Sequence, residues 1–386
     1  MRVFVIPSIY PSKKYPEQGS FIKEQTLALK QYGHEIIVLD ASVKNYKDWL
    51  KPDCWIPNFS NEDGINRITL NTRAYKSSKY PEKTIKACCR NAELLYEKAI
   101  QHFGVPDILL AHFSFTGGFC ARNISKKYQI PFVVIEHGSL LLDDKLDISI
   151  KAGLKDLVMD SAAFVCVSNY LKDRVVSLTN NSNIVVIPNM VDKAYRYYPV
   201  NRDKDKIVFF SAGNLFNTKG FSLLINAFVK AFSSNDNVQL LIAGSGPEER
   251  TLNDMIHSSH REKQIILLGQ KNRVEMLEQY KNSDCFILLS EFETFGIVYR
   301  EAMAVGRPII STDNGGIREN WNDENGVIIQ DTSIDAVANE LILMRNDLEN
   351  NRYDYHSISG RTMKLYSSEA TIGRLNHLLR EILAKN

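Results

Sequence analysis

The sequence predicts an α/β protein built from two doubly wound domains with parallel sheets. Three observations lead there. Short apolar, β-branched runs alternate with longer helix-length stretches from one end of the chain to the other, the pattern of strands covered on both faces by crossover helices. The runs fall into two arrays separated by a polar, charged stretch, NMVDKAYRYYPVNRDKDK (189–206), which has the character of an interdomain linker. The 386 residues also exceed what one hydrophobic core readily organises, which favours roughly two or three domains.

The first array comprises RVFVI (2–6), EIIVLD (35–40), DILLAH (107–112), PFVVIEH (131–137), AFVCVS (163–168) and NIVVIPN (183–189). The second comprises KIVFFSAG (206–213), VQLLIAG (238–244), QIILLG (264–269), CFILLS (285–290), PIISTD (308–313) and GVIIQ (326–330). Domains of residues 1–195 and 203–367 follow. In TIGRLNHLLREIL (371–383), Ile372, Leu375, Leu378, Leu379, Ile382 and Leu383 lie on one stripe, so the C-terminal segment 368–386 is expected to be an amphipathic helix that packs back on the first domain. Ligands of open α/β sheets sit beyond the carboxyl ends of the strands, so two such domains facing each other put the expected site in the cleft between them.

Composition narrows the function classes. With 44% hydrophobic and 24% charged residues the chain reads as an ordinary soluble globular protein. No run approaches the roughly 18 apolar residues of a membrane span, and MRVFVIPSIYP enters a strand pattern with no signal-peptide character, so a cytoplasmic location is expected. The six cysteines form no C-x-x-C pair and no metal-ligand spacing; reduced thiols are expected and a structural zinc is not. The net charge of +2 divides into 26 basic against 20 acidic residues for 1–200 and 21 against 25 for the rest. This near-neutral balance disfavours a nucleic-acid partner. Part of the first-half excess is Lys76, Lys79, Lys83, Lys86 and Arg90, the last three on one face of a helix that Pro81 can open. That face is either simply solvated or a surface for anionic lipid headgroups or an anionic acceptor at a membrane periphery.

The residues that carry chemistry lie just after strands. SAGNLFNTKGFSLLINAF places a glycine-containing loop before a helix, with Asn214 in the loop and Lys219 and Gly220 at the helix start. Helix-start N–H groups and an ammonium suit a phosphate or diphosphate, although a surface lysine at a turn has the same pattern. Gly244 and Gly246 in AGSGPEER let the backbone approach a ligand or the next helix closely. The full G-x-G-x-x-G spacing is lacking, which disfavours a dehydrogenase. Gly19 closes a long first βα loop, PSIYPSKKYPEQGSF. His137, followed by Gly138 and Ser139, ends a strand either as a cleft residue or as a satisfied structural histidine. In SEFETFGIVYREAMAVGRP (290–308), Glu293 stands at a strand-to-helix turn made by Thr294, Phe295 and Gly296. Glu301 follows about two helical turns later among apolar neighbours. A buried carboxylate needs a partner. The two glutamates either bind hydroxyls of one polyhydroxylated ligand or form an N-terminal cap and a buried salt bridge, to Arg300 or Arg307.

Taken together these motifs resemble the retaining glycosyltransferases of family 4, which have the GT-B fold of two Rossmann-like domains. ETFGIVYRE (293–301) with AMAVGRPIISTDNGG is similar to that family's E-x7-E signature and trailing Gly-Gly turn. AGN…NTKG resembles its diphosphate loop, IPFVVIEHG its histidine strand, and VSNYLKD, VIPNMVD and QYGHEIIVLD further first-domain segments. The resemblance spans nearly the whole chain. Two positions depart from it: Asn214 stands where the family has arginine, and Met190 where it has glycine after Ile-Pro-Asn.

The resemblance implies transfer of a sugar from a UDP- or GDP-linked donor to a glycan or lipid-linked acceptor, with retained configuration and with no cofactor or metal. The only D-x-D, Asp203 to Asp205, lies in the charged linker. Glu293 would hold donor-sugar hydroxyls and Glu301 the ribose. The N–H groups at Phe295, Gly296 and Ile297 would lie against the sugar and diphosphate. Lys219 would neutralise the leaving diphosphate, Gly19 would give it room, and His137 would contact the sugar near the anomeric carbon. A same-face attack in which a donor phosphate oxygen takes the acceptor's proton is expected. A non-catalytic sugar-nucleotide-binding subunit and an epimerase or hydrolase on the same fold are the alternatives.

Overall fold

A computed structural model describes residues 1–13, 15–44, 55–73, 81–143, 146, 148–200 and 206–385. Lys76, Lys79 and the Asp203–Asp205 pair lie outside the described residues. The chain forms two compact units, one of Met1–Met190 with Ser368–Asn386 and one of Val191–Ser367.

The first unit contains strands β1 (Arg2–Pro7), β2 (Glu35–Asp40), β3 (Val43–Lys44), β4 (Asn58–Glu62), β5 (Ile65–Thr69), β6 (Thr72–Arg73), β7 (Ile108–His112), β8 (Phe132–Glu136), β9 (Ala163–Cys166) and β10 (Ile184–Val186). Its helices are α1 (Ser20–Gln31), α2 (Pro81–Phe103), α3 (Phe119–Tyr128), α4 (Ile148–Asp160), α5 (Asn169–Thr179) and, from the end of the chain, α12 (Ser368–Lys385). The main sheet runs β10-β9-β8-β7-β1-β2-β5-β4, and β3 pairs with β6 apart from it. Every residue of β7 and β8 is buried; because successive side chains alternate between faces, both faces must be covered. Among the described strands only β4 runs antiparallel to its neighbour. It joins β5 through Asp63 and Gly64, both with positive φ (53° and 71°), the backbone of a tight two-residue hairpin.

α12 buries Ile372, Leu375, Leu379 and Ile382 and packs on α1. The His34 Nε2 and Asn376 Oδ1 atoms meet at 2.8 Å, and Arg374 Nη2 donates to the Val186 carbonyl at 2.6 Å. α2 opens at Pro81 and leaves Lys83, Lys86 and Arg90 exposed.

The second unit has six parallel strands, β11 (Ile207–Ala212), β12 (Val238–Ala243), β13 (Ile265–Gly269), β14 (Cys285–Leu288), β15 (Ile309–Thr312) and β16 (Gly326–Ile329). Helices α6 (Phe221–Ala231), α7 (Glu249–Ser258), α8 (Arg273–Asn282), α9 (Ile297–Ala304), α10 (Ile334–Glu349) and α11 (Tyr355–Tyr366) surround them. The order is β13-β12-β11-β14-β15-β16, so strand order reverses between β11 and β14. In a doubly wound sheet that reversal opens a crevice at the carboxyl ends of the two strands. In the first unit the reversal falls between β1 and β7. Such a reversal is the usual ligand position of a doubly wound sheet.

Candidate active site

The loops leaving β11 and β14, the strands on either side of the second unit's reversal, carry Lys219 and Glu293. After β11 the chain makes a short 3-10 turn, Asn217–Lys219, and enters α6 at Gly220. Gly220 has φ 71°, and a Cβ there would lie 2.1 Å from the Leu289 carbonyl oxygen, so only glycine lets α6 start this close to the end of β14. The Glu291 N–H donates to the Thr218 carbonyl at 2.9 Å, tying the loops together. Lys219 Nζ then donates to Glu293 Oε1 at 2.6 Å, with the two side chains 23% and 15% exposed. The backbone of Glu293 is pinned between Asn314 and Gly316 at 2.9 Å each. α9 starts beside it at Gly296, φ 71°, with no side-chain cap, so first-turn N–H groups and the positive end of the helix dipole adjoin the carboxylate.

Glu301 differs from expectation. It is 1% exposed, and its partners are neither Arg300 nor Arg307. Arg273 Nη1, at the start of α8, donates to Oε1, and the Tyr280 hydroxyl donates to Oε2 at 3.1 Å. Arg300 instead spends Nη2 on the carbonyls of Gly316, Ile317 and Glu319. Arg307 donates to the carbonyls of Tyr280, Tyr198, Val305 and Lys281. The donors that make a buried carboxylate tolerable at 301 therefore come from the protein, not from a ligand. The same holds for Glu293 through Lys219. Neither partner was legible locally, because Arg273 is 28 positions from Glu301 and Lys219 is 74 from Glu293.

The glycines after β12 lie tight against the neighbouring loop. A Cβ on Gly244 (φ 147°) would lie 1.9 Å from the Gly213 carbonyl oxygen, and one on Gly246 2.5 Å from that of Leu215. Within the protein their close approach is to the loop after β11 rather than to the next helix. Asn214, on that loop, is exposed. Phe295 is 1% exposed, its ring under the Arg300 guanidinium at 5.2 Å and against Tyr366 at 5.4 Å. Only its backbone can serve the crevice, with Gly296 and Ile297.

In the first unit, Gly19 (φ 77°) starts α1. Its missing Cβ would sit 2.9 Å from the Ile9 carbonyl oxygen, so the loop's own backbone occupies that side. His137 is 7% exposed, with Phe21 and Phe113 at 5.0 and 5.2 Å. Its Nε2 lies 3.1 Å from His112 Nδ1, and the two rings stack with centroids 5.3 Å apart. Burial lowers the His137 pKa to about 3, against an Asn189 hydrogen bond that raises it. Burial, reinforced by His137, holds His112 well below the usual imidazole range. Both rings are neutral at physiological pH.

Glu136 is buried and accepts the Ser114 and Gly138 N–H groups at 2.7 and 2.6 Å; burial raises its pKa. It fixes the backbone on the far side of His137 and at the β7 exit, where Phe113 holds φ 65°. A bulky residue in that region stores strain that surrounding contacts must hold. The sequence reading missed His112, although AHF at a strand end repeats the pattern of EHG.

Residues 199–357 match the model of the glycosyl transferases group 1, and residues 18–195 that of glycosyltransferase family 4. The chain belongs to the family 4, group 1 glycosyltransferases. It is 29% identical over 53% of its length to the phosphatidylinositol N-acetylglucosaminyltransferase GPI3 subunit of Saccharomyces cerevisiae strain YJM789. It spans half the length of that relative. It is 24% identical to the N-acetyl-alpha-D-glucosaminyl L-malate synthase of Bacillus anthracis, covering 92% of this chain and 91% of that one. The sucrose-phosphate synthase of Thermosynechococcus elongatus superposes with a TM-score of 0.82 over 100% of both chains at 16% identity. The family 4 chain thus has the GT-B fold.

Proposed function

We propose that this family 4 chain is a retaining glycosyltransferase that moves a sugar from a UDP- or GDP-linked donor to a hydroxyl of a glycan or lipid-linked acceptor during assembly of surface polysaccharide or glycan. The second unit takes the donor and the first the acceptor. The observation that carries the reading is the Lys219–Glu293 pair, 2.6 Å apart at the β11/β14 switch point beside the uncapped start of α9. A diphosphate arriving there offers Lys219 a larger negative charge than one carboxylate. The ammonium moves to it, and Glu293 is released to accept hydrogen bonds from sugar hydroxyls. The N–H groups at Phe295, Gly296 and Ile297 adjoin the sugar and diphosphate.

As the anomeric C–O bond breaks, its electron pair passes to the departing diphosphate, where Lys219 and the helix-start N–H groups stabilise the charge in place of a metal ion. The acceptor oxygen bonds to the oxocarbenium-like carbon on the same face, and its proton goes to the departing phosphate oxygen. No covalent sugar on the protein is needed. A carboxylate has about four acceptor positions, so Glu301 retains capacity for a ribose hydroxyl beside its two protein partners. That contact, the sugar contact of His137 and the placement of Gly19 rest on the family pattern, and the buried, neutral imidazole supports hydrogen bonding rather than charge pairing. The names of the yeast and Bacillus relatives both carry an N-acetylglucosaminyl unit, which supports placing UDP-N-acetylglucosamine among the first donors tried.

Among the described residues no helix is long and apolar enough to cross a membrane. The exposed Lys83, Lys86 and Arg90 support a cytoplasmic enzyme that meets a lipid-linked acceptor at the inner membrane face. To test the reading, protein is melted against UDP- and GDP-sugars, since a ligand of the folded state raises Tm. The stabilising donor is then incubated with acceptors, and nucleotide release and product configuration are followed. Transfer with retained configuration is expected. Binding with hydrolysis, isomerisation or no turnover would favour the hydrolase, epimerase or non-catalytic alternative, and a divalent-cation requirement would refute the metal-free step.

A further inference from the structure

The second unit carries a cavity of about 400 Å³ that neither Lys219 nor Glu293 lines. It lies at the carboxyl ends of β14, β15 and β16, against the start of α6, and its size is that of a small-molecule site. Four polar side chains on its wall, the exposed Asn217, Glu291 and Thr332 and the half-buried Ser222, make no hydrogen bond within the described protein and stand open to a ligand or to water. Asp313, also on the wall, is committed to Arg318 through both oxygens at 3.0 and 2.9 Å. Among the described residues no lysine or arginine lines the cavity, which disfavours an anion, and a single uncommitted carboxylate is too little for a metal ion.

What remains is a mixture of donors and acceptors. The Asn217 amide offers both, the Ser222 and Thr332 hydroxyls offer both, Glu291 accepts, and α6 begins with no side-chain cap over its first N–H groups. Leu223, Leu289 and Ile329 supply an apolar wall. Groups that donate and accept at once, together with C–H faces, are the chemistry of a neutral sugar. We propose that this cavity is a second carbohydrate site, which holds a neutral hexose unit of a glycan apart from the donor-sugar position. The site's chemistry does not depend on the transferase reading. A glycan anchored there stays on the enzyme while its other end is elsewhere.

The test is calorimetry and saturation-transfer NMR on the full chain with glucose, galactose, mannose, N-acetylglucosamine and maltose, alongside UDP and GDP. At least one sugar should bind, and its affinity should fall about tenfold in Glu291→Ala, the loss of one charge-assisted hydrogen bond. It should vanish in Ser222→Trp, which fills the cavity; melting curves establish that both variants fold. UDP and GDP affinity should be unchanged in both. The proposal is overturned if none of the sugars binds, if neither variant weakens the binding, or if UDP or GDP displaces the sugar. Loss of nucleotide binding by the unaltered chain would instead count against the transferase reading and leave this test intact.

Discussion

If Lys219 must leave Glu293 to meet a diphosphate, removing the charge of Glu293 should make nucleotide binding tighter while it destroys transfer. The perturbation is Glu293→Gln, which keeps the shape and frees the ammonium. The size follows from the geometry. The pair is short, 2.6 Å, and its side chains are only 23% and 15% exposed, so it lies between an exposed pair worth about 0.2–1 kcal/mol and a buried one whose disruption costs about 3–5 kcal/mol. An intermediate of about 1–1.5 kcal/mol corresponds to UDP or GDP binding roughly 5- to 12-fold more tightly. Calorimetry with UDP and GDP, which lack the sugar that Glu293 would hold, reads this directly. Lys219→Ala should move the same constant the other way by about 1.5–3 kcal/mol, the worth of a hydrogen bond to a charged group. Unchanged or weaker nucleotide binding in Glu293→Gln would refute the exchange, and substantial transfer by that variant would refute the assignment of Glu293 to the donor sugar.

Three further outcomes are expected. Arg273→Ala leaves the buried Glu301 with Tyr280 alone and should cost about 2–3 kcal/mol, below the fully buried figure because Arg273 is 30% exposed; thermal melting checks this, and a shift of under about 1 °C would contradict the pairing. His137 has its folded-state pKa depressed to about 3 from an unfolded value of about 6.5. The unfolded chain therefore binds the extra proton first. The stability this contributes is complete above about pH 6.5 and is lost at up to about 1.4 kcal/mol per pH unit as pH falls toward 3. Urea midpoints between pH 7 and 5 should consequently fall less in His137→Asn than in the unaltered chain, and equal slopes would refute the burial argument. Last, Lys83→Glu, Lys86→Glu and Arg90→Glu together should abolish sedimentation with phosphatidylserine vesicles at low salt, at about 1 kcal/mol per charge; unaltered co-sedimentation would remove the basic face of α2 from any membrane role.

The strand arrays were legible because burial on both faces demands contiguous apolar runs, and such runs are a local property. FVVIE and CFIL, for instance, are wholly buried strands. β4 escaped because NFSNE is a mostly exposed edge strand with no apolar run, although the Asp63-Gly64 turn after it was a readable hairpin signal. Gly220 and Gly296 stood out at strand-to-helix turns, and both adopt the positive φ that glycine permits. Gly244 and Gly246 were equally visible, but what they approach was not, since a glycine records that something comes close and not what.

By itself the amino-acid order determined the parallel strands of the two sheets, the positions of their ends, the glycine turns and the residue types gathered just beyond them. All of these follow from hydrophobic periodicity and backbone sterics within a few residues. Only the tertiary structure decided which group partners which: Arg273 and Tyr280 with Glu301, Lys219 with Glu293, His112 with His137. Each pairing joins groups far apart in the chain through sheet order and crossover, and the energy of a buried charge depends on distance in space, which no local pattern encodes.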